Sequence, residues 1–189
     1  MFIALLFNIS LWRQDDLNYI HLEGSTLYST NVNNLVNNSA QLGIYNHILQ
    51  NPGIHFREIC NDLSLPVGVV QYHIERLYNH DLIGDYKDRK YRRFFTKKYT
   101  EKEKAILSNM RKETTRNILL SLAESELGHK ELAYRLGITS QALSWHMKNL
   151  KEADLILCSN HGTSKDYRLD DDTFCIVEDF LEIRLEFNC

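Results

Sequence analysis

Shifted by 73 residues, the chain matches itself. Glu58 falls on Glu131, Leu63 on Leu136, His73 on His146 and Leu77 on Leu150, and Asp81-Leu82-Ile83 falls on Asp154-Leu155-Ile156. Conservative pairs fill the spaces between these identities: Ile54 with Leu127, Ile59 with Leu132, Val70 with Leu143, Tyr72 with Trp145, Ile74 with Met147 and Phe94 with Tyr167. Apolar positions are kept in phase throughout, so one structural unit occurs twice. Two copies make a tandem and not a solenoid, and 189 residues accommodate two small domains.

Each copy has the same local grammar. Leu42, Tyr45, Ile48 and Leu49 have helical spacing, and Asn51-Pro52-Gly53 stops that helix because proline cannot continue it. A second helix is expected from about His55 to Leu63, burying Phe56, Ile59 and Leu63. The chain turns within Ser64-Leu65-Pro66, and a third helix starts near Val67 with Val70, Ile74 and Leu77 on one stripe. In the second copy Gly137 supplies the turn, and Thr139 or Ser140 supplies a capping oxygen. Two helices joined by a tight turn, the second with a narrow buried stripe, make a helix-turn-helix.

A strand–turn–strand follows each third helix. Leu82–Lys87 and Tyr91–Thr96 flank Asp88-Arg89-Lys90; Leu155–Cys158 and Ser164–Leu169 flank a turn containing Asn160 and Gly162. A helix-turn-helix with such a hairpin is a winged helix. The fold class is mainly α with small β-hairpins (α+β): two tandem winged helices, an N-terminal extension and a C-terminal helix. The expected domains are 1–38, 39–100, 101–170 and 171–189. One extended helix from Glu101 to Ser125 is expected to join the copies, and Asp171–Phe187 to form the last helix.

Met1–Trp12 is apolar but too short to span a bilayer, which needs about 20 residues. It also lacks a basic leader and cleavage site, so a secretory signal is not expected. Leu17–Leu22, Glu23-Gly24 and Ser25–Tyr28 read as a hairpin, with an Asn-rich linker from Asn31 to Asn38, the whole expected to form a structural or dimerising extension, with a membrane tether or a truncated upstream domain as the alternatives. Cys60, Cys158, Cys175 and Cys189 form no C-x-x-C pair and are too scattered for a disulfide framework, so reduced thiols in a cytoplasmic protein are expected.

Residues Gly137–Ile156 and, in the first copy, Leu65–Tyr78 with Leu82 and Ile83 resemble the helix-turn-helix of ArsR-type and MarR-type winged-helix transcription factors. With Asn51-Pro-Gly-Ile-His, the pair is similar to archaeal tandem winged-helix regulators such as those of the euryarchaeal archaellum. The resemblance implies sequence-specific DNA binding. Recognition helices would lie in the major groove, and wings on the backbone or minor groove. Paired cysteines of a metal-sensing ArsR protein are absent.

Removing the buried stripes leaves Ser140, Gln141, Ser144, Trp145 and Lys148 outward on one recognition helix. On the other it leaves Val67, Gly68, Gln71, Tyr72 and Glu75. Gln141 and Gln71 suit adenine, and Val67 suits a thymine methyl. From Lys87 to Lys98 seven basic residues face one acid. Lys87, Arg89, Lys90, Arg92 and Arg93 in that run are expected to contact phosphates. The stretch 155–189, with three basic and eight acidic residues, masks that run in the whole-chain charge of −3.

No catalytic motif, phosphate loop or ligand spacing for a metal appears, so neither an enzyme nor a cofactor is expected. His73 and His146 read as helix residues beside the buried Ile74 and Met147. The expected partners are double-stranded DNA, a second copy of the chain and the basal transcription machinery, with no membrane. The rival reading is a winged-helix adaptor for protein assembly, which would not need a basic wing. A redox switch at Cys60 or Cys158 is the third.

Overall fold

The computed structural model describes residues 39–88, 91–161 and 164–186. The expected N-terminal extension, Arg89, Lys90, Gly162 and Cys189 lie outside these residues.

The first copy opens with helix α1 (Ser39–Gln50), which buries Gln41, Ile44, Tyr45 and Ile48 on one face. Gly53 ends the turn after it at φ +80°, and a Cβ there would lie 3.0 Å from the Phe95 ring, so both conformation and space require glycine. Strand β1 (Ile54–His55) leads into α2 (Phe56–Asp62). The α2 N-terminus is closed by a reciprocal cap: His55 Nδ1 accepts from the Glu58 amide, and Glu58 accepts from the His55 amide. The second helix of the helix-turn-helix, α3 (Val67–Asn79), buries Val70, His73, Ile74 and Leu77. The wing is β2 (Ile83–Asp88) and β3 (Tyr91–Thr96), paired from Ile83↔Thr96 to Asp88↔Tyr91, with β1 on the other edge of β3. Helix α4 (Glu101–Met110) follows, capped reciprocally by Thr100 and Glu103.

The second copy repeats this as α5 (Glu113–Glu124), β4 (Leu127–Gly128), α6 (His129–Arg135), α7 (Ser140–Glu152), β5 (Ile156–His161), β6 (Ser164–Leu169) and α8 (Asp171–Glu186). From β1 to β3 every boundary recurs 73 residues later, and the strand order recurs too. Even the left-handed backbone is duplicated: Ser64 (φ +51°) corresponds to Gly137 (φ +64°), and Asp81 (φ +55°) to Asp154 (φ +53°).

Two expectations need correction. Phe56 and Leu63 are half-buried, and only Ile59 of α2 is fully enclosed. More consequentially, Glu101–Ser125 is two helices. Lys112 is extended (φ −101°, ψ 117°) between α4 and α5. No proline or glycine stands at the break, and long-range side-chain contacts are made from it. The Arg111 guanidinium, almost fully enclosed, donates to the Pro52 carbonyl and to Glu58. Lys112 Nζ lies 2.8 Å from Asp88. An uninterrupted helix would replace the extended Lys112 backbone from which these contacts are made.

The core has two lobes joined at β3. Phe94 packs with Ile44, Ile48, Ile59, Val70 and Leu77. Its neighbour Phe95 points to the opposite face, as strand alternation requires, and joins a core built mainly by the second copy. Helix α4 follows Phe95: its Ala105, Ile106, Leu107 and Met110 pack in that same core with Leu119, Leu132, Leu143 and Leu155. By sequence repetition α4 is the counterpart of α8, yet it fills its neighbour's interior. Among the described residues, no helix is long and apolar enough to cross a membrane.

Candidate nucleic-acid interface

Helix α7 begins at Thr139, whose hydroxyl accepts from the Ala142 amide at 3.1 Å. With Leu143, Met147 and Leu150 turned inward, Ser140, Gln141, Ser144, Trp145 and Lys148 are all exposed, Trp145 at 57%. Ser144 donates to the Ser140 carbonyl and lies 3.0 Å from His129 Nε2. Lys148 lies 3.8 Å from Glu152, one turn on, both in water. The outward face of α3 is equally open: Val67, Gly68, Gln71, Tyr72 and Glu75 are exposed. Its character differs, with Val67 61% and Tyr72 55% accessible and Arg76 against the Tyr72 ring. Pro66 stands at its N-cap and offers no side-chain hydrogen bond.

The first wing departs from expectation. Lys87 is exposed, but Arg93 is buried, its guanidinium bonded to Asp88 at 3.1 Å and to the Gly53 carbonyl at 2.9 Å. Arg93 shares the inward face of Phe95, so it braces the junction with Asp88 and Lys112 and is withdrawn as a phosphate contact. Arg92 lies on the Phe94 face. It makes a two-pronged pair with Asp85 (2.8 and 3.2 Å) and sits over the Tyr78 and Phe94 rings. The bonds from Arg92 hold the Asp85 carboxyl below the usual carboxylate range, and Asp85 in turn raises the guanidinium. Lys97 pairs with Asp81. Three of the basic residues of this segment, Arg92, Arg93 and Lys97, are thus paired with carboxylates of their own domain.

Among the described residues, a group of cations also stands on the second domain. Lys130 on α6, Lys151 on α7 and Lys165 on β6 border a groove between the recognition helix and its wing, together with Lys148. These lysines are exposed. They were not legible as a cluster because they are scattered over 36 positions of sequence. The available signal was the internal alignment, which sets Lys165 against Arg92 and Cys158 against Asp85.

His73 is buried and its Nδ1 has no hydrogen-bond partner; His146 is half-buried, with Nδ1 3.4 Å from the Thr115 hydroxyl. Burial lowers both imidazoles, helped by Arg76 and Lys112 respectively. Burial raises the Cys60 thiol. Among the described residues, no three His, Cys, Asp or Glu side chains are grouped to hold a metal ion.

Residues 38–107 match a family described as an N-terminal HTH domain, and residues 113–158 match one described as a helix-turn-helix domain. The chain is 26% identical over 127 residues to an uncharacterized HTH-type transcriptional regulator of Methanocaldococcus jannaschii, covering 66% of this chain and 32% of that one. It is 38% identical over 82 residues to the uncharacterized HTH-type transcriptional regulator YdfF of Bacillus subtilis, covering 42% and 36%. The chain thus spans about a third of the length of these curated relatives. Among solved structures, HlyU of Vibrio cholerae is similar at 28% identity and a TM-score of 0.42, over 48% of this chain and 97% of that one. Two helix-turn-helix domains in tandem, similar to those of archaeal and bacterial transcriptional regulators, make up the described chain.

Proposed function

We propose that this tandem of helix-turn-helix domains is a DNA-binding transcription regulator, cytoplasmic and acting as a homodimer, in which the second domain supplies most of the affinity. The observation that carries this reading is the α7 surface. A capped recognition helix exposes Ser140, Gln141, Ser144 and Trp145, and Lys130, Lys148, Lys151 and Lys165 stand beside it. Hydroxyls and an amide at the groove, with ammonium groups on the phosphates, are the combination that separates specificity from affinity. Gln71 and Val67 of α3 would add base contacts, and Lys87 a phosphate contact.

The adaptor reading draws support from the pairing of Arg92 and Arg93 with acids of the first wing and from exposed Val67 and Tyr72 on α3. Salt dependence separates the two. After selection of bound sequences from a random pool, Gln141→Ala should lose about 1–3 kcal/mol on the selected site and little on random duplex. Lys151→Ala with Lys165→Ala should weaken both equally and flatten the log–log salt slope by up to about two units, since each phosphate contact contributes about 0.9. Arg93→Ala has no place in that slope. A wild-type chain without duplex affinity at low salt would leave the adaptor standing.

A further inference from the structure

The groove beside α7 encloses about 730 Å³, within the range of small-molecule sites. Its floor is apolar and aromatic: Met147, Cys158, Tyr167 and the His129 ring, the last two with centroids 6.0 Å apart. Its rim is Lys130, Lys148, Lys151 and Lys165, with Glu131 the acid among the lining residues.

In the first copy the same place is occupied from within. Asp85, Arg92, Tyr78 and Phe94 stand where Cys158, Lys165, Lys151 and Tyr167 stand in the second. There the Arg92 guanidinium is clamped by Asp85 and covers the rings of Tyr78 and Phe94 at 5.3 and 5.4 Å. Carboxylate, guanidinium and ring together satisfy the charge and cover the apolar floor. The second copy has the floor and the positive charge but neither the carboxylate nor the cover.

What is missing defines what fits. A lone inorganic anion would satisfy the lysines and leave the floor wet. A neutral apolar molecule would cover the floor and leave the ammonium groups unpaired. We propose that the groove binds an organic anion, with an aromatic or aliphatic body on Met147, Cys158 and Tyr167 and an acid group between Lys151 and Lys165. It stands where Asp85 and the Arg92 cover stand in the first copy. On the DNA-binding reading above, on which this consequence rests, the ligand shares Lys151 and Lys165 with phosphates, so occupancy weakens DNA binding.

The probe is 1-anilinonaphthalene-8-sulfonate, an aromatic body with one acid group, titrated into the full chain without DNA and followed by fluorescence. Lys151→Glu with Lys165→Glu should lower its affinity about tenfold or more. Cys158→Trp, which fills the floor and keeps every charge, should do the same with an unchanged circular dichroism spectrum. Arg57→Glu, exposed on α2 of the first copy, should leave the probe affinity unchanged. Octanoate should displace the probe and inorganic phosphate at the same concentration should not. Equal displacement by phosphate, or affinity indifferent to the lysine pair, would overturn the proposal. If Cys158→Trp unfolds, Cys158→Leu serves the same purpose. A second titration on bound duplex should release DNA from the wild type and not from the floor variant. Failure of that step alone, with probe binding intact, would count against the DNA reading and its link to the groove, not against the site.

Discussion

Seventy-three residues apart, Asp85 faces Phe94 and Cys158 faces Tyr167 in two sheets of the same topology, and Arg92 and Lys165 lie two residues along the same neighbouring strand. In the first sheet the basic residue is held by a carboxylate and laid over rings. In the second it has neither, and it stands exposed beside the recognition helix. Among the described residues, Arg92, Arg93 and Lys97 of the first copy are engaged by carboxylates, whereas Lys130, Lys151 and Lys165 of the second border an open groove. A count of lysines and arginines along the chain reports composition; strand register and phase decide which of them a polyanion can meet.

The sharpest way to break the comparison is at the buried pair. Asp88 and Arg93 expose 10% and 7% of their side chains. Asp88→Ala leaves an enclosed guanidinium with the Gly53 carbonyl alone and frees Lys112, and should cost about 3–5 kcal/mol in urea unfolding. The second copy offers a control in Arg168–Asp171, where the side chains are 49% and 91% exposed. Arg168→Ala should cost less than about 1 kcal/mol. Similar losses from both would mean that the junction is not braced by charge.

A smaller effect sharpens the match between the two turns. At Gly137 a Cβ would meet nothing within 4 Å, so Gly137→Ser isolates the backbone and should cost about 1 kcal/mol in thermal unfolding. The reciprocal Ser64→Gly, at φ +51°, should be neutral or slightly stabilising, because relief of the left-handed conformation opposes the greater freedom of the unfolded chain. A large loss at Ser64 would mean that its side chain has a role the backbone comparison lacks.

The smallest effect concerns pH. His73 and His146 sit below their ordinary 6.5 in the folded chain, mainly through burial. The unfolded chain then binds more protons, so stability rises with pH between the folded and unfolded values. It should be fully present above about 6.5 and decline as pH falls toward the depressed folded values. His73→Gln and His146→Gln should each flatten that decline in melting temperature from pH 7 to 5; an unchanged curve in both variants would place the loss elsewhere.

The duplication, both helix-turn-helix units and both wings were legible because each rests on local period and an internal echo. The outward faces of α3 and α7 followed from Val70, Ile74 and Leu77 and from Leu143, Met147 and Leu150. What could not be read was set at long range. The break at Lys112 carries contacts to Asp88, 24 residues away, and from Arg111 to Glu58 across 53. The inward turn of Arg93 depends on which of two adjacent phenylalanines faces which lobe, and Phe94-Phe95 satisfies either phase. The lysine groove was invisible because its members come from α6, α7 and β6.

The two faces of β3 have a consequence for the operator. With Phe94 rooted in one lobe, Phe95 in the other and α4 plugged into the second, α3 and α7 cannot swing as beads on a string. On the DNA-binding reading proposed above, such a chain would work as a caliper with its jaws locked. A site read by both helices has one permitted spacing. Five added base pairs turn the second segment roughly half a revolution away, and about ten bring its face back but leave it out of reach.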